Sequence, residues 1–238
     1  QAYDPVANTT AVWITPETAY TTDNLTCNFN LSSGNSTNNI TNWYKNNQSI
    51  MLLYMPFEGG STSGSPGSNG STLDYSGNNN DGTVVNATWN RTGGKIGGAY
   101  HLNTTKSYLV VQGSEEFDNM NQITLEAWVN PESIKNHNII QKLTIYVFRI
   151  TLENTVRCDI TNSSLGTAIT NTTATVPFNE WSHVACTYNG SQVKVYVNGK
   201  LNATEKLSGT LRNLNNLVTI GATSNTVDGY VDEIKIYN

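Results

Sequence analysis

Residues 181–199 read WSHVACTYNGSQVKVYVNG. Val184 and Cys186 fall on one phase of the first run, and Val193, Val195 and Val197 on one phase of the second. An apolar residue at every second position is the pattern of a strand with one buried face. Each run stops at an Asn-Gly pair, Asn189-Gly190 and Asn198-Gly199. Asn-Gly supplies the positive φ that tight hairpin turns need. The stretch therefore reads as two antiparallel strands bounded by hairpin turns.

The same grammar runs along the rest of the chain. Short alternating or apolar runs occur at 11–15, 24–29, 42–46, 50–57, 83–85, 99–102, 107–111, 123–129, 139–140, 144–152, 156–160, 217–220 and 231–237. Turn residues separate them, and a Gly/Ser run at 59–71 reads as a loop. No amphipathic helix of useful length interrupts them. Regular short strands with such turns predict an all-β, two-sheet antiparallel sandwich. A chain of 238 residues is long enough to bury a sizeable core between two sheets.

Composition narrows the function classes. Only 13% of residues are charged and the net charge is −5, so there is no basic footprint for nucleic acid. No apolar run is long enough to span a membrane. The chain begins at Gln1 with no leader in view, which reads as a processed chain or a piece of a longer one. Asn-x-Ser/Thr triplets stand at Asn8, Asn24, Asn30, Asn35, Asn39, Asn47, Asn69, Asn86, Asn90, Asn103, Asn162, Asn171, Asn189 and Asn202. Compositional drift is the bland account; N-glycosylation outside the cell is the functional one, and it requires exposed acceptors.

The three cysteines, Cys27, Cys158 and Cys186, show no CxxC spacing, which argues against zinc and thioredoxin chemistry. Cys158 and Cys186 both lie on apolar phases and should face the core. They either pair across strands or pack as free thiols. Pairing would leave Cys27 over.

Six motifs then fall in order. They are DYSGNNNDGT (74–83), GGAY (97–100), ITLEAWVNP (123–131), WSHVACTYNG (181–190), VYVNG (195–199) and GYVDEIKIYN (229–238). Together they resemble laminin-G-like, concanavalin A-like jelly rolls across residues 51–238. The resemblance implies a jelly roll in which the last strand pairs beside the first, at 51–57. Trp128 and Trp181 are expected as large anchors between the sheets. Residues 1–50 resemble part of an immunoglobulin-like domain, as in archaeal cell-surface proteins. Cys27 stands at the second strand's cysteine and Trp43 at the core tryptophan, but the partner cysteine and later strands are missing.

The resemblance also implies site chemistry. Many relatives hold a structural Ca²⁺ near the junction of first and last strands. Asp74, Ser76, Asn78 and Asp81, with Glu58 and Asp232, are the hard oxygen donors here, against the alternative of an Asn-rich turn held by its own hydrogen bonds. Sugar binding is the other family activity. Trp89, Tyr100, Tyr108 and Tyr230 are the aromatic candidates, each with a core role as the alternative. Catalysis is not expected. The paired carboxylates of jelly-roll glycosidases have their nearest counterpart in EEFDNMN (115–121), where no acid completes the motif. His101, His137 and His183 are scattered.

An unfinished N-terminal sandwich has open strand edges. Three outcomes follow: extension of the jelly roll, completion by chain beyond Asn238, or strand donation between copies, with residues 1–14 as donor. The expected function is that of a non-enzymatic extracellular structural or adhesive protein. Its expected partners are copies of itself, as the repeating subunit of a glycosylated surface filament or surface layer. The alternative is a carbohydrate-binding lectin module of a larger cell-surface protein, with glycans as partners.

Overall fold

A computed structural model describes residues 9–16, 26–31, 40–46, 48–103, 106–112, 115–118 and 120–238. Apart from a short 3-10 turn, Glu115–Phe117, the secondary structure described is all strand. The chain divides into two compact units, Gln1–Thr41 and Asn42–Asn238.

In the first unit, Thr9–Thr15 pairs antiparallel with Thr26–Leu31, placing Trp13 opposite Asn28 and Ile14 opposite Cys27. Cys27 is a half-buried free thiol. Most of residues 1–14 proposed above as a donor strand, residues 1–8, lie outside the described residues.

The second unit starts earlier than the sequence break at residue 50. Asn42 donates from Nδ2 to the carbonyls of Tyr75 (3.2 Å) and Ser76 (2.8 Å), tying 42–50 to the jelly roll. Tyr44–Lys45 pairs with Gln48–Ser49 in a small hairpin rather than forming a long sandwich strand.

Two eight-stranded antiparallel sheets carry the rest. The first runs Thr167–Thr175, Thr155–Thr161, Tyr146–Ile150, His137–Lys142, Val218–Gly221, Tyr108–Val111, Gly82–Val85, Gly70–Thr72. The second runs Lys200–Lys206, Gln192–Val197, Ser182–Tyr188, Ile123–Pro131, Gly229–Tyr237, Ala99–Leu102, Thr88–Asn90. Met51–Met55 also pairs with Gly229–Tyr237, setting Leu53 opposite Ile236 and Met55 opposite Ile234. The two ends of the jelly roll are thereby zipped together.

Alternation builds the core. Leu125, Ala127, Val129, Val184, Val195, Val231 and Ile236 point inward from the second sheet. Leu109, Ile140, Phe148, Val156, Ile160 and Ile220 meet them from the first. Each of these Val, Leu, Ile and Phe side chains contributes about 1.5–3 kcal/mol on burial. Cys158 and Cys186 are joined by a disulfide, both fully buried, and so bind one sheet to the other across the core.

Trp128 and Trp181 do not fill this space. On Ile123–Pro131 the buried phase is Ile123, Leu125, Ala127, Val129 and Pro131; Trp128 shares the other phase with Thr124, Glu126 and Asn130 and is half-buried. Trp181, just before Ser182–Tyr188, is also half-buried. Side-chain size suggested a core anchor, but strand phase places Trp128 outside.

Candidate functional site

The outer face of the second sheet collects chemistry from strands far apart in sequence. Register sets Trp128 opposite His183 on one side and Asp232 on the other. Asn130 lies opposite Tyr230, and Tyr230 opposite His101. Residues directly opposite in an antiparallel pair share a face, so these side chains form two adjoining rows.

The rings contact one another. His101 and Tyr230 stack with centroids 4.4 Å apart, and Trp181 lies 6.4 Å from Tyr230. Trp128 meets His183 edge-on at 5.3 Å, with Lys95 Nζ over its ring at 4.7 Å. Charged partners border the rings. His101 Nε2 lies 2.9 Å from Glu132 Oε2, and His183 Nε2 lies 3.4 Å from Glu126 Oε1. Lys235 Nζ reaches Glu233 (2.9 Å) and Glu126 (3.5 Å). Burial pushes the Glu126 carboxyl up, but His183 and Lys235 together hold it below the usual carboxylate range. Burial, then Glu233, which accepts the Tyr54 hydroxyl proton at 3.2 Å, drives the Tyr54 phenol well above its ordinary value.

Below this strip sits an acid pair. A bulge in Gly229–Tyr237, with Glu233 at φ 51°, inserts one extra residue opposite Glu126–Trp128. Asp232 is fully buried beside it. Its Oδ2 accepts the Ile96 amide (3.0 Å) and its Oδ1 the Glu233 amide (2.7 Å). Glu58 Oε2 accepts the Gly98 amide at 3.3 Å. Burial, then the Glu233 and Glu58 charges, pushes the Asp232 carboxyl up to about 8, against two backbone hydrogen bonds that pull it down. The loop over the pair needs its glycines: a Cβ at Gly98 would lie 2.1 Å from the Phe57 carbonyl, and one at Gly94 2.3 Å from the Gly98 carbonyl.

The six expected metal ligands therefore divide. Asp74 takes four donors, the Tyr54 and Ser76 amides on Oδ1 and the Ser76 hydroxyl and Asn80 amide on Oδ2. That fills the roughly four lone-pair sites of a carboxylate. Asp81 accepts the Asp74 amide, and Asn78 and Asn80 donate to the Leu52 carbonyl. Asp74 is thus satisfied by its own turn and by the Tyr54 amide, and its oxygens are left no lone pair for a cation. Glu58 and Asp232 instead come together beneath the 94–98 loop, where their oxygens accept the Gly98, Ile96 and Glu233 amides. Among the described residues no group of three or more His, Cys, Asp or Glu side chains is placed to hold a metal ion.

The four aromatic candidates also separate. Tyr100 is fully buried, edge-on to Phe57, with its hydroxyl donated to the carbonyls of Thr62 and Ser71. It is core, not a sugar platform. Trp89 spends its Nε1 proton on the Phe57 carbonyl at 2.9 Å. Tyr108 belongs to the first sheet, opposite Gly221 and Val85. Tyr230 alone of the four lies in the strip. Trp128, Trp181, His101, His183 and Lys95 were missed there, although the Thr124/Glu126/Trp128/Asn130 phase could have placed Trp128.

Two acids of the 115–121 motif hold structural partners. Glu116 accepts Asn80 Nδ2 at 3.0 Å, and Asp118 pairs with buried Lys142 at 2.5 Å. His137 is no general base: its Nδ1 accepts the Asp228 amide and its Nε2 lies 2.8 Å from the Ser133 carbonyl. Of the sequons, Asn30, Asn69, Asn103, Asn171 and Asn189 are exposed and Asn86, Asn90 and Asn202 half-buried. Asn162 is a correction. It is buried, donating to the Ser208 carbonyl and accepting the Gly166 amide, so its amide is not available to a glycan. Asn8, Asn24, Asn35, Asn39 and Asn47 lie outside the described residues.

Two packed antiparallel sheets with zipped terminal strands define a jelly-roll sandwich. A family model for the concanavalin A-like lectin/glucanases superfamily matches residues 103–238, and the chain belongs to that family. No curated relative matches in sequence. Solved structures similar to it include domain 4 of AbnA, a GH43 extracellular arabinanase from Geobacillus stearothermophilus, in complex with arabinotriose. That likeness has 20% identity and a TM-score of 0.62, over 79% of this chain and 92% of that one. The binding domain of Paraclostridial Mosquitocidal Protein 1 gives 15% and 0.61, over 79% and 48%. The receptor-binding domain of botulinum neurotoxin type G gives 15% and 0.57, over 80% and 48%. The chain spans about half the length of these two toxin domains. At such identities the likeness shows the fold; of the three, the two toxin structures are named as a binding domain and a receptor-binding domain.

Proposed function

We propose that this chain is a non-catalytic, carbohydrate-binding module that acts outside the cell, on or near a cell surface. The convergence of Trp128, Trp181, Tyr230 and His101 on one outer face carries the reading. Half-buried rings offer apolar faces to sugar C–H groups, while Asn130, Glu132 and Lys95 offer hydrogen bonds to hydroxyls. The arabinotriose complex of the arabinanase domain supports sugar as the ligand class. Ca²⁺ held by Glu58 and Asp232 would stiffen the 94–98 loop that carries Lys95. The exposed sequons would carry N-glycans.

A glycan array on the purified full chain tests the reading, followed by titration of the best ligand against Trp181→Ala and Tyr230→Ala. Loss of about tenfold or more in affinity at unchanged melting temperature supports the strip. Full-affinity binding by both variants refutes it.

A second reading is assembly. The N-terminal hairpin exposes Trp13 and Ile14, each 44% accessible, on a ribbon too small to be stable alone. Strand donation between copies would cover it and build a surface filament or layer. Electron microscopy and sedimentation of the native protein test this; a uniform monomer refutes it.

A further inference from the structure

The opposite face of the sandwich holds an arrangement that folding alone does not favour. On the outer face of the first sheet, Arg149 lies directly opposite Arg157. Like charges directly opposite in a sheet are destabilising. One carboxylate offsets the pair: Asp159 accepts Arg149 Nη2 at 2.6 Å, Arg157 Nε at 2.7 Å and Arg157 Nη2 at 3.1 Å. Two guanidiniums against one carboxylate leave the cluster one positive charge in excess. Each guanidinium has five N–H donors, so most remain available.

The row continues inward. Asn138 lies opposite Arg149. Asn138 is 7% exposed and gives its Nδ2 proton to Gln141 Oε1 at 2.9 Å. Its Oδ1 is buried with no hydrogen-bond donor among the described residues. A buried acceptor without a donor is costly unless something supplies one. A ligand that satisfied the whole row would bring a planar anion for the guanidinium forks and a hydroxyl for Asn138.

We propose that Arg149, Arg157 and Asn138 form a second binding site, for the carboxylate and an adjacent hydroxyl of an acidic saccharide. Guanidinium matches carboxylate in bidentate geometry. Asp159 stands in for the ligand carboxylate when the site is empty and competes with it when the ligand arrives. With the strip on the other sheet, the module would grip sugar on both faces and could bridge two glycan chains.

The probe is tri-galacturonate, set against its methyl ester, which keeps the sugar and removes the charge. The full chain is first freed of N-glycans, because Asn171 lies opposite Arg157. The expected result in calorimetric titration is binding of the acid and not of the ester. Arg149→Thr and Arg157→Thr should each weaken binding about tenfold or more, the scale of a lost charge-assisted hydrogen bond, with melting temperature unchanged or raised. Asp159→Asn should tighten binding, a gain that a purely structural ion pair would not produce. Trp181→Ala should leave uronate binding intact, which keeps this site separate from the strip. Equal binding of acid and ester, no binding of either, wild-type affinity in both arginine variants, or no gain from Asp159→Asn would overturn the proposal. Binding of a sulfated glycan without uronate would overturn the carboxylate assignment.

Discussion

Asp118 is the residue at which a catalytic and a structural role make opposite predictions. It occupies the middle of the one acidic motif in the chain that approaches a glycosidase pattern. In the fold its Oδ1 sits 2.5 Å from Lys142 Nζ, which also donates to the Phe117 carbonyl at 3.0 Å. The Lys142 side chain is 0% exposed and that of Asp118 12%. Asp118→Ala would strand a buried ammonium with a single neutral acceptor. Removing one partner of a buried ion pair costs about 3–5 kcal/mol. For a unit of this size that lowers the melting temperature by about 6–20 °C, at about 2–4 °C per kcal/mol. Lys142→Met together with Asp118→Ala removes both charges and should recover most of the loss, since apolar replacement of a buried pair is often near neutral. Calorimetric melting of the wild type, both single variants and the double variant closes the cycle. An Asp118→Ala melting temperature within about 2 °C of wild type would refute the structural reasoning, as would a double variant no better than the singles.

Further predictions follow from other parts of the sandwich. Replacing Cys158 and Cys186 by Ala opens a loop with a sequence separation of 28. The chain-entropy account gives a loss of about 3–4 kcal/mol, readable as a lower urea midpoint, and an unshifted midpoint would contradict it. His137 is held neutral: burial lowers its pKa, and the nearby Lys135 lowers it further against the Ser133 hydrogen bond. The unfolded chain takes up that proton first, so stability is lost as pH falls below about 6.5, and His137→Gln should flatten the melting-temperature profile between pH 7 and 5. Parallel profiles would show that His137 is not the titrating group. Glycopeptide mass spectrometry of native protein should find Asn162 unmodified while Asn69 and Asn189 carry glycan; a modified Asn162 would mean that its site opens before folding ends. Adding Ca²⁺ should raise the melting temperature of the wild type but not of Asp232→Asn, and Asp74→Asn should keep the response. A response abolished by Asp74→Asn alone would return the cation to the 74–81 turn.

What the sequence determined by itself is local. Period-two alternation and the Asn-Gly turns around 193–197 specify strands and hairpins because each depends only on neighbouring backbone geometry. The apolar patterns of 51–57 and 231–237 suffice to suggest that the chain ends pair, since each must bury one face. Asp74 shows where local reading stops: alternating oxygen donors look the same whether they face a cation or their own backbone, and the Tyr54 amide 20 residues away decides between them. Tertiary structure decided the rest. Strand phase placed Trp128 outside, register brought it to His183 and Asp232, and the bulge at Glu233 buried Asp232 beneath the 94–98 loop. The pairing of Arg149 with Arg157 likewise follows from the hairpin register and not from either residue. A sheet shows its sites only across strands, because neighbours on one face are two apart along the chain but only about 5 Å apart between chains of the ladder.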